Sequence, residues 1–308
     1  MHTAYLTHPI CQRHDAGPGH PESPERLSAI DDRLHAAHLH DYLTHFHHPP
    51  AATREQLARV HDTDYIDWVL SVAPATGRVQ LDPDTAMGPH SLEAALHAAG
   101  AAIKAVDKVM VGTVQNAFCA VRPPGHHAGR RSAGGFCIFN NVACAAAHAL
   151  ATHGVQRLAI VDFDVHHGNG TEEIFREDGR VLFVSTFQHP YYPHCGADTV
   201  HENVVNLPLP AGTSGRDYRA AFEARALPAL DAFRPELILL SAGFDGHRED
   251  DMAHFNLVEA DYVWITEQVM DIASRHAQDR IVSVLDGGYN LSALGRSAAA
   301  HIKALAGL

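Results

Sequence analysis

Along the second half of the chain, short continuous apolar runs alternate with longer stretches whose apolar positions recur every three or four residues. The runs at 117–121, 158–163, 181–185, 204–207, 237–240 and 281–285 read as strands buried on both faces of a parallel sheet. Between them, 141–153, 171–176, 216–233, 260–275 and 291–305 read as helices. Gly154 stops the first of these, and Pro228 is expected to bend the third. The first third is less regular. A short strand at 4–7 leads into a polar loop at 8–21, and Ser23, as cap, with Pro24 opens a helix whose apolar face is Leu27, Ile30 and Leu34. Short helices around Leu57 and at 62–72, an irregular loop at 74–89 and an Ala-rich helix at 92–111 follow. Strand–helix alternation predicts an α/β fold, a doubly wound, mainly parallel sheet with helices on both faces. With no repeat, low-complexity tract or linker, 1–308 reads as one domain.

Composition narrows the possibilities. The chain has 308 residues, 46% of them hydrophobic, which predicts a sizeable core. Its formal charge of −13 argues against nucleic acid as a partner, since phosphate contacts need Lys and Arg. Twenty-six histidines are too many for one site. Five cysteines, an odd number without CxxC spacing, predict reduced thiols in a cytoplasmic protein. The first ten residues lack a basic segment followed by an apolar run, and no apolar run approaches the length of a membrane span. Neither a signal peptide nor a membrane partner is expected.

The candidate chemistry gathers at predicted strand ends. Asp162, Asp164 and His166 lie two apart on an extended segment, so they point the same way. Buried carboxylates need a partner, and a divalent cation is the simplest. Asp164, His166 and Asp245 make a two-carboxylate, one-imidazole set that leaves a coordination position open, as in catalytic zinc sites. Asp162 is either a fourth ligand or a group that orients a histidine. In open α/β sheets ligands bind beyond the carboxyl ends of the strands, where 122–127, 162–169, 185–187, 241–245 and 286–290 all fall. That rim brings the adjacent His126 and His127 to the metal as an acid–base pair, with Asp162 and Asn169 as orienting partners. Tyr289 follows two glycines, and its phenol could donate to an oxyanion. His167 points elsewhere and reads as structural.

In order along the chain stand His20-Pro21-Glu22-Ser23-Pro24-Glu25-Arg26, Arg122-Pro123-Pro124-Gly125-His126-His127, Gly135-Phe136-Cys137-Ile138-Phe139-Asn140-Asn141, the Asp162–Asn169 stretch, Ser241-Ala242-Gly243-Phe244-Asp245 and Gly287-Gly288-Tyr289. This series resembles the histone deacetylase family of the arginase–deacetylase superfamily. Asn169, where the first deacetylase class has Asp, resembles the second class and its bacterial relatives. The resemblance implies a single-domain arginase–deacetylase-like fold, with Asp164, His166 and Asp245 as zinc ligands, though Fe(II) is an alternative metal. His127 would be the general base and acid, His126 its electrostatic support, and Tyr289 the group that polarises the scissile carbonyl. Phe136 and Tyr192 would wall the substrate channel, and the Gly135 carbonyl would accept from the substrate. Asp162 and Ser185, with the backbone of Asp164, His166 and Thr186, would hold a structural potassium ion. Phe175, Asp178 and Val181 would hold a second. Arginases carry a further Asp two residues after the position of Asp245, where this chain has His247, so one zinc is favoured over two manganese ions. Either Asp82 or Asp84 would contact substrate at the rim. Met252 stands at the position of an acidic gatekeeper found in related polyamine deacetylases, although Glu249, Asp250 and Asp251 lie close enough for a shifted loop to bring one inward.

The expected activity is removal of acyl groups from N-ε-acetyl-lysine side chains of a protein or peptide, releasing acetate. The alternatives are an acetylpolyamine or other small acylated amine as substrate, and a catalytically silent acyl-lysine binding module. Oligomeric state is not legible.

Overall fold

The computed structural model describes residues 2–308. Its strands are β1 (Thr3–Leu6), β2 (Leu43–Phe46), β3 (Val79–Asp82), β4 (Thr85–Met87), β5 (Asn116–Cys119), β6 (Leu158–Asp162), β7 (Val181–Gln188), β8 (Val204–Leu209), β9 (Leu237–Ala242) and β10 (Ile281–Leu285). Its helices are α1 (Glu25–Ala36), α2 (Arg54–Leu57), α3 (Thr63–Val72), α4 (Ser91–Met110), α5 (Asn141–Thr152), α6 (Asn169–Phe175), α7 (Gly215–Ala221), α8 (Leu227–Phe233), α9 (Glu259–His276) and α10 (Leu291–Leu305). Eight strands form one sheet in the order β2-β1-β5-β10-β9-β6-β7-β8, every neighbouring pair parallel. This is the α/β architecture that the apolar runs predict, and every residue of β5, β6, β9 and β10 is buried. Helices α4 and α5 pack on one another, as do α1, α10 and α9. Both groups reach β5 and β9, which two separate layers can do only from opposite faces.

The strand order contains the device that positions the site. From β6 the chain moves outward to β7 and β8, while from β9 it moves the other way to β10. The two connections diverge between neighbouring strands, and a crevice opens beyond their carboxyl ends. Asp162 ends β6, and Asp245 lies three residues past β9. Register reinforces this, because Asp162 pairs with Ser185 on one side and Ser241 on the other.

Three elements differ from the reading of the sequence. The loop at 74–89 contains the antiparallel β3–β4 pair, whose strands of three and four residues are too short to show an alternation. Strand β2 escapes notice because its sequence, Leu-Thr-His-Phe, has only two apolar members. At the sheet edge it has a single partner and no need of two apolar faces. The helix expected at 216–233 is interrupted by a π-helical turn, Phe222–Ala226. Pro228 has no N–H to give the carbonyl four residues back, and the wider turn just before it relieves the clash of its ring. A smaller difference is at α1, where no side chain caps the helix and Ser23 contributes its carbonyl to the Arg26 N–H, 3.2 Å away.

Candidate active site

The candidate ligand trio forms because the turns after β6 and β9 place its side chains over the crevice. Side-chain atoms of Asp164, His166 and Asp245 lie within 4.8 Å of one another, all buried. His166 Nδ1 is 3.1 Å from both Asp164 Oδ1 and Asp245 Oδ2. The main chain aims each carboxylate. Asp164 Oδ2 accepts from Gly287 N at 2.8 Å, and Asp245 Oδ1 accepts from Val165 N at 3.0 Å. Glycines clear the ground around them. A Cβ on Gly243 would stand 2.0 Å from Asp164 Oδ2, and one on Gly287 would stand 2.2 Å from Asp245 Oδ2. Two buried carboxylates, an imidazole and glycines that leave no room for a Cβ on two sides fit one divalent cation. Asp162 is not part of this set; its Oδ2 lies 2.9 Å from His126 Nδ1, and its Oδ1 accepts from Asp164 N at 3.1 Å. His247 is turned away, its Nδ1 accepting from Glu249 N at 3.1 Å.

The tandem histidines are fixed differently from each other. His127 Nδ1 lies 2.7 Å from the Asn169 amide oxygen, an acceptor, so the hydrogen-bond pattern puts the ring proton on Nδ1 and leaves the Nε2 lone pair free. Burial, then the neighbouring His126 and His166, push its pKa well below the usual histidine value. His126 goes the other way. Burial opposes its charge, but Asp162, Asp164 and Asp286 outweigh that and push its pKa well up. Burial raises Asp162 as well, so the His126–Asp162 pair keeps its proton. One ring keeps a free basic nitrogen while the carboxylates around the other favour its protonated form, the separation expected of an acid–base pair.

A cavity of about 300 Å³ leads to this point, lined by His127, Phe136, His166, Tyr192, Met252 and Tyr289 among others. Phe136 and Tyr289 meet edge to face at 5.7 Å, and Tyr192 stands edge-on to His127 at 5.1 Å. Gly135 also lines it, with φ +53°, and a Cβ there would lie 2.1 Å from the His127 ring. Asp84, rather than Asp82, lines the cavity; its Oδ1 accepts from Gly135 N at 2.9 Å, so the short hairpin holds the rim. Burial first, then Asp245 and Asp164, raise the Tyr289 phenol pKa well above its usual value against the pull of Arg26, which keeps the hydroxyl a donor. Met252 lies on the cavity wall, and none of Glu249, Asp250 and Asp251 lines the cavity. Buried Asp250 accepts from Tyr289 N, Asn290 N and Met252 N, and Glu249 pairs with Arg296 at 2.8 Å. His167 is structural, its Nε2 2.9 Å from Glu172.

Other residues support the site in ways the sequence did not suggest, Asp250 among them in place of the gatekeeper role considered for it. Asp250 holds the backbone of Tyr289 at 2.6 Å, and Asp286 Oδ1 accepts from Gly125 N and His126 N at 2.7 and 3.2 Å. Arg26 donates to the Gly288 carbonyl at 2.6 Å and lies over the Tyr289 ring. Glu22 joins Arg26 to Arg122, all three buried. Burial alone would raise Glu22, but Arg122, His14 and Arg26 hold it well below the usual carboxylate range. The available signal was position: these acids and arginines sit inside or beside the same motifs as the site residues. A larger cavity of about 480 Å³, lined by Arg59, Arg130 and Arg180, gathers no comparable set; each guanidinium is engaged, with His148, the Ile174 carbonyl and Asp178 respectively. No helix among the described residues is long and apolar enough to cross a membrane.

Comparison with known proteins agrees with this geometry. A histone deacetylase domain model matches residues 20–305. The histone deacetylase-like amidohydrolase of Pseudomonas aeruginosa is 37% identical over 330 residues, covering 99% of this chain and 86% of its own. The human polyamine deacetylase HDAC10 is 36% identical over 304 residues, covering 93% of this chain and 44% of its own. The crystal structure of the HDA15 HD domain superimposes with a TM-score of 0.93 at 35% identity, covering 99% of this chain and 90% of that one.

Proposed function

This chain belongs to the histone deacetylase family of hydrolases, and from that premise we propose that it is a metal-dependent deacylase of N-ε-acetyl-lysine side chains, acting through Asp164, His166 and Asp245 as ligands of one zinc or Fe(II) ion. The observation that carries the reading is the convergence, on one cavity, of the open side of that trio, the free Nε2 of His127 and the phenol of Tyr289. A bound metal supplies Lewis-acid polarisation and a more acidic water. His127 takes the proton of the attacking water on Nε2, with Asn169 holding the ring in the required tautomer. Tyr289 donates to the oxygen that gains charge, and His126, held by Asp162 at 2.9 Å, gives electrostatic support beside it. His127 then returns its proton to the departing amine, leaving acetate and a free amine. Phe136 and Tyr192 enclose the apolar stem of the substrate, and Asp84 stands at the rim where the substrate backbone would lie.

Met252 on the cavity wall, with none of Glu249, Asp250 and Asp251 lining it, favours acyl-lysine over a polyamine, which gains from a carboxylate in the channel. Relative rates on acetyl-lysine peptides and acetylated spermidine decide between them. Metal-dependent release of acetate excludes a silent binding module. A potassium ion beside Asp162 is supported by the hydroxyls of Ser185 and Ser241, buried on the two flanking strands without a hydrogen-bond partner among the described residues. The central test is Tyr289→Phe. Metal content should stay at the wild-type level while kcat falls about 10²–10³-fold, the loss expected for one oxyanion donor. Unchanged turnover would remove Tyr289 from the mechanism.

A further inference from the structure

The carbonyl oxygens of Phe175, Asp178 and Val181 do converge, as expected of a second cation loop, but a nitrogen sits at their focus. Asn203 Nδ2 lies 3.0, 3.1 and 2.9 Å from the three oxygens. Asn203 is 4% exposed and immediately precedes β8, and its carbonyl accepts from Phe183 N at 2.9 Å, so its backbone is pinned to the neighbouring strand. The three carbonyls can only accept, so they fix the orientation of its amide with the –NH2 toward them. His201 Nδ1 bonds Asn203 Oδ1, while His201 Nε2 faces Glu177 at 3.6 Å. With the –NH2 on the carbonyls, the amide oxygen is the atom left facing His201 Nδ1, which donates to it. An amide has two hydrogens for three acceptors, so one is shared.

A ring of main-chain carbonyls suits a monovalent cation because the oxygens replace its hydration shell. The amide group of Asn203 supplies positive partial charge at the same point, covalently attached and with no ion to recruit. Both cannot occupy it. We propose that Asn203 takes the place of the ion at the carbonyl triad of Phe175, Asp178 and Val181, so that this chain holds no cation there. Helix α6 begins with Asn169, the partner of His127, and ends at Phe175 in this triad. Closing its far end with a side chain makes the order of that helix independent of potassium concentration. Any potassium effect on this protein then comes from the surroundings of Asp162 and Ser185.

Equilibrium dialysis with rubidium, on the metal-loaded protein, tests this without reference to activity. Wild type should bind at most one Rb+ per chain. Asn203→Asp keeps the shape but replaces the donor by a carboxylate oxygen facing three carbonyl oxygens, an arrangement only a cation can bridge. It should bind one Rb+ more than wild type, and its melting midpoint should be lower in tetramethylammonium chloride than in KCl by more than that of wild type. Two Rb+ per wild-type chain would overturn the proposal, and so would an Asn203→Asp protein that gains neither an ion nor this salt dependence. If the variant does not fold, the wild-type count alone decides.

Discussion

Of the three clusters of aspartate and histidine among the described residues that could hold a metal ion, two lie on or against the central helices and sheet and invite comparison. Asp164, His166 and Asp245 form one, and Asp107 on α4 with His148 and His153 at the end of α5 forms the other; ligand atoms in each lie within 4.8 Å. What separates them is the fate of the remaining atoms. In the first, backbone N–H groups hold the carboxylate oxygens, and glycines keep the space beside them empty. In the second, Asp107 Oδ1 is 2.8 Å from His148 Nε2 and 2.9 Å from His153 Nε2, and Arg59 donates to His148 Nδ1 at 3.2 Å. A guanidinium can only donate, so the His148 proton must be on Nε2, pointing at Asp107. A metal there would need that proton moved to the nitrogen that faces Arg59. Ligand-type residues close together therefore do not make a metal site. A site needs the protein to have dealt with every other donor, acceptor and Cβ around them, and the second trio has spent its atoms on hydrogen bonds between helices.

The sharpest way to break this contrast is to remove one carboxylate from each trio. Asp245→Asn should lose bound zinc and deacetylase activity by about 10³-fold or more, since the metal supplies several kcal/mol of the barrier reduction. Asp107→Asn should keep zinc content and kcat within about twofold and cost about 1 kcal/mol of stability or less, as for other partly exposed pairs. Metal analysis and acetate release measure both. Zinc lost from the Asp107 variant would mean the helical trio is a site after all.

The convergence of Asp164, His166 and Asp245 was legible in the sequence because two of them sit two apart on an extended segment and the third follows a second strand, so pattern alone brings them to one rim. Asn169 and Asp162 were legible as orienting groups for the same reason. The buried supports were not. Asp250 and Asp286 act on backbone N–H groups, and no spacing rule says which main-chain amide a carboxylate will meet. The β3–β4 hairpin that carries Asp84 is too short for its periodicity to register, and β2 lies at an edge where half its side chains need not be apolar. Asn203 was invisible for another reason. Its role depends on three carbonyls, and carbonyls are common to every residue.

A third kind of histidine sharpens the rule that hydrogen-bond commitments decide chemistry. His61 is buried, with Nδ1 2.7 Å from the Gly129 carbonyl and Nε2 accepting from Asn140 N at 3.0 Å, so the main chain claims both nitrogens. Burial, with Arg130 nearby, lowers its pKa to about 4. The folded state then binds fewer protons than the unfolded state between pH 4 and about 6.5, and stability rises with pH across that window. Its contribution is complete above about pH 6.5 and is lost as pH falls toward 4, a total on the order of 3 kcal/mol. Urea unfolding at several pH values should show a shallower pH slope in His61→Asn than in wild type, by up to about 1.4 kcal/mol per pH unit. Identical slopes would mean His61 titrates in the folded state as it does in the unfolded chain.

The smallest change tests the empty space rather than the donors. In Gly287→Ala, the new Cβ would stand 2.2 Å from Asp245 Oδ2 and 2.5 Å from Asp164 Oδ2, so both carboxylates must move or the loop must. No ligand is deleted and no charge altered. Zinc affinity should fall about 10–100-fold, the range seen when groups that orient metal ligands are disturbed. The matched change beside the helical trio is Gly154→Ala, one residue after His153. There φ is +67° and nothing lies within 4 Å of the added Cβ. It should cost about 1 kcal/mol of stability from the left-handed backbone and leave zinc affinity and turnover unchanged. Competition with a chromophoric chelator gives the affinities, and thermal unfolding gives the stabilities. If Gly287→Ala binds zinc as tightly as wild type, the cleared space around Asp164 and Asp245 is not what distinguishes the two trios, and the difference rests on the hydrogen bonds alone.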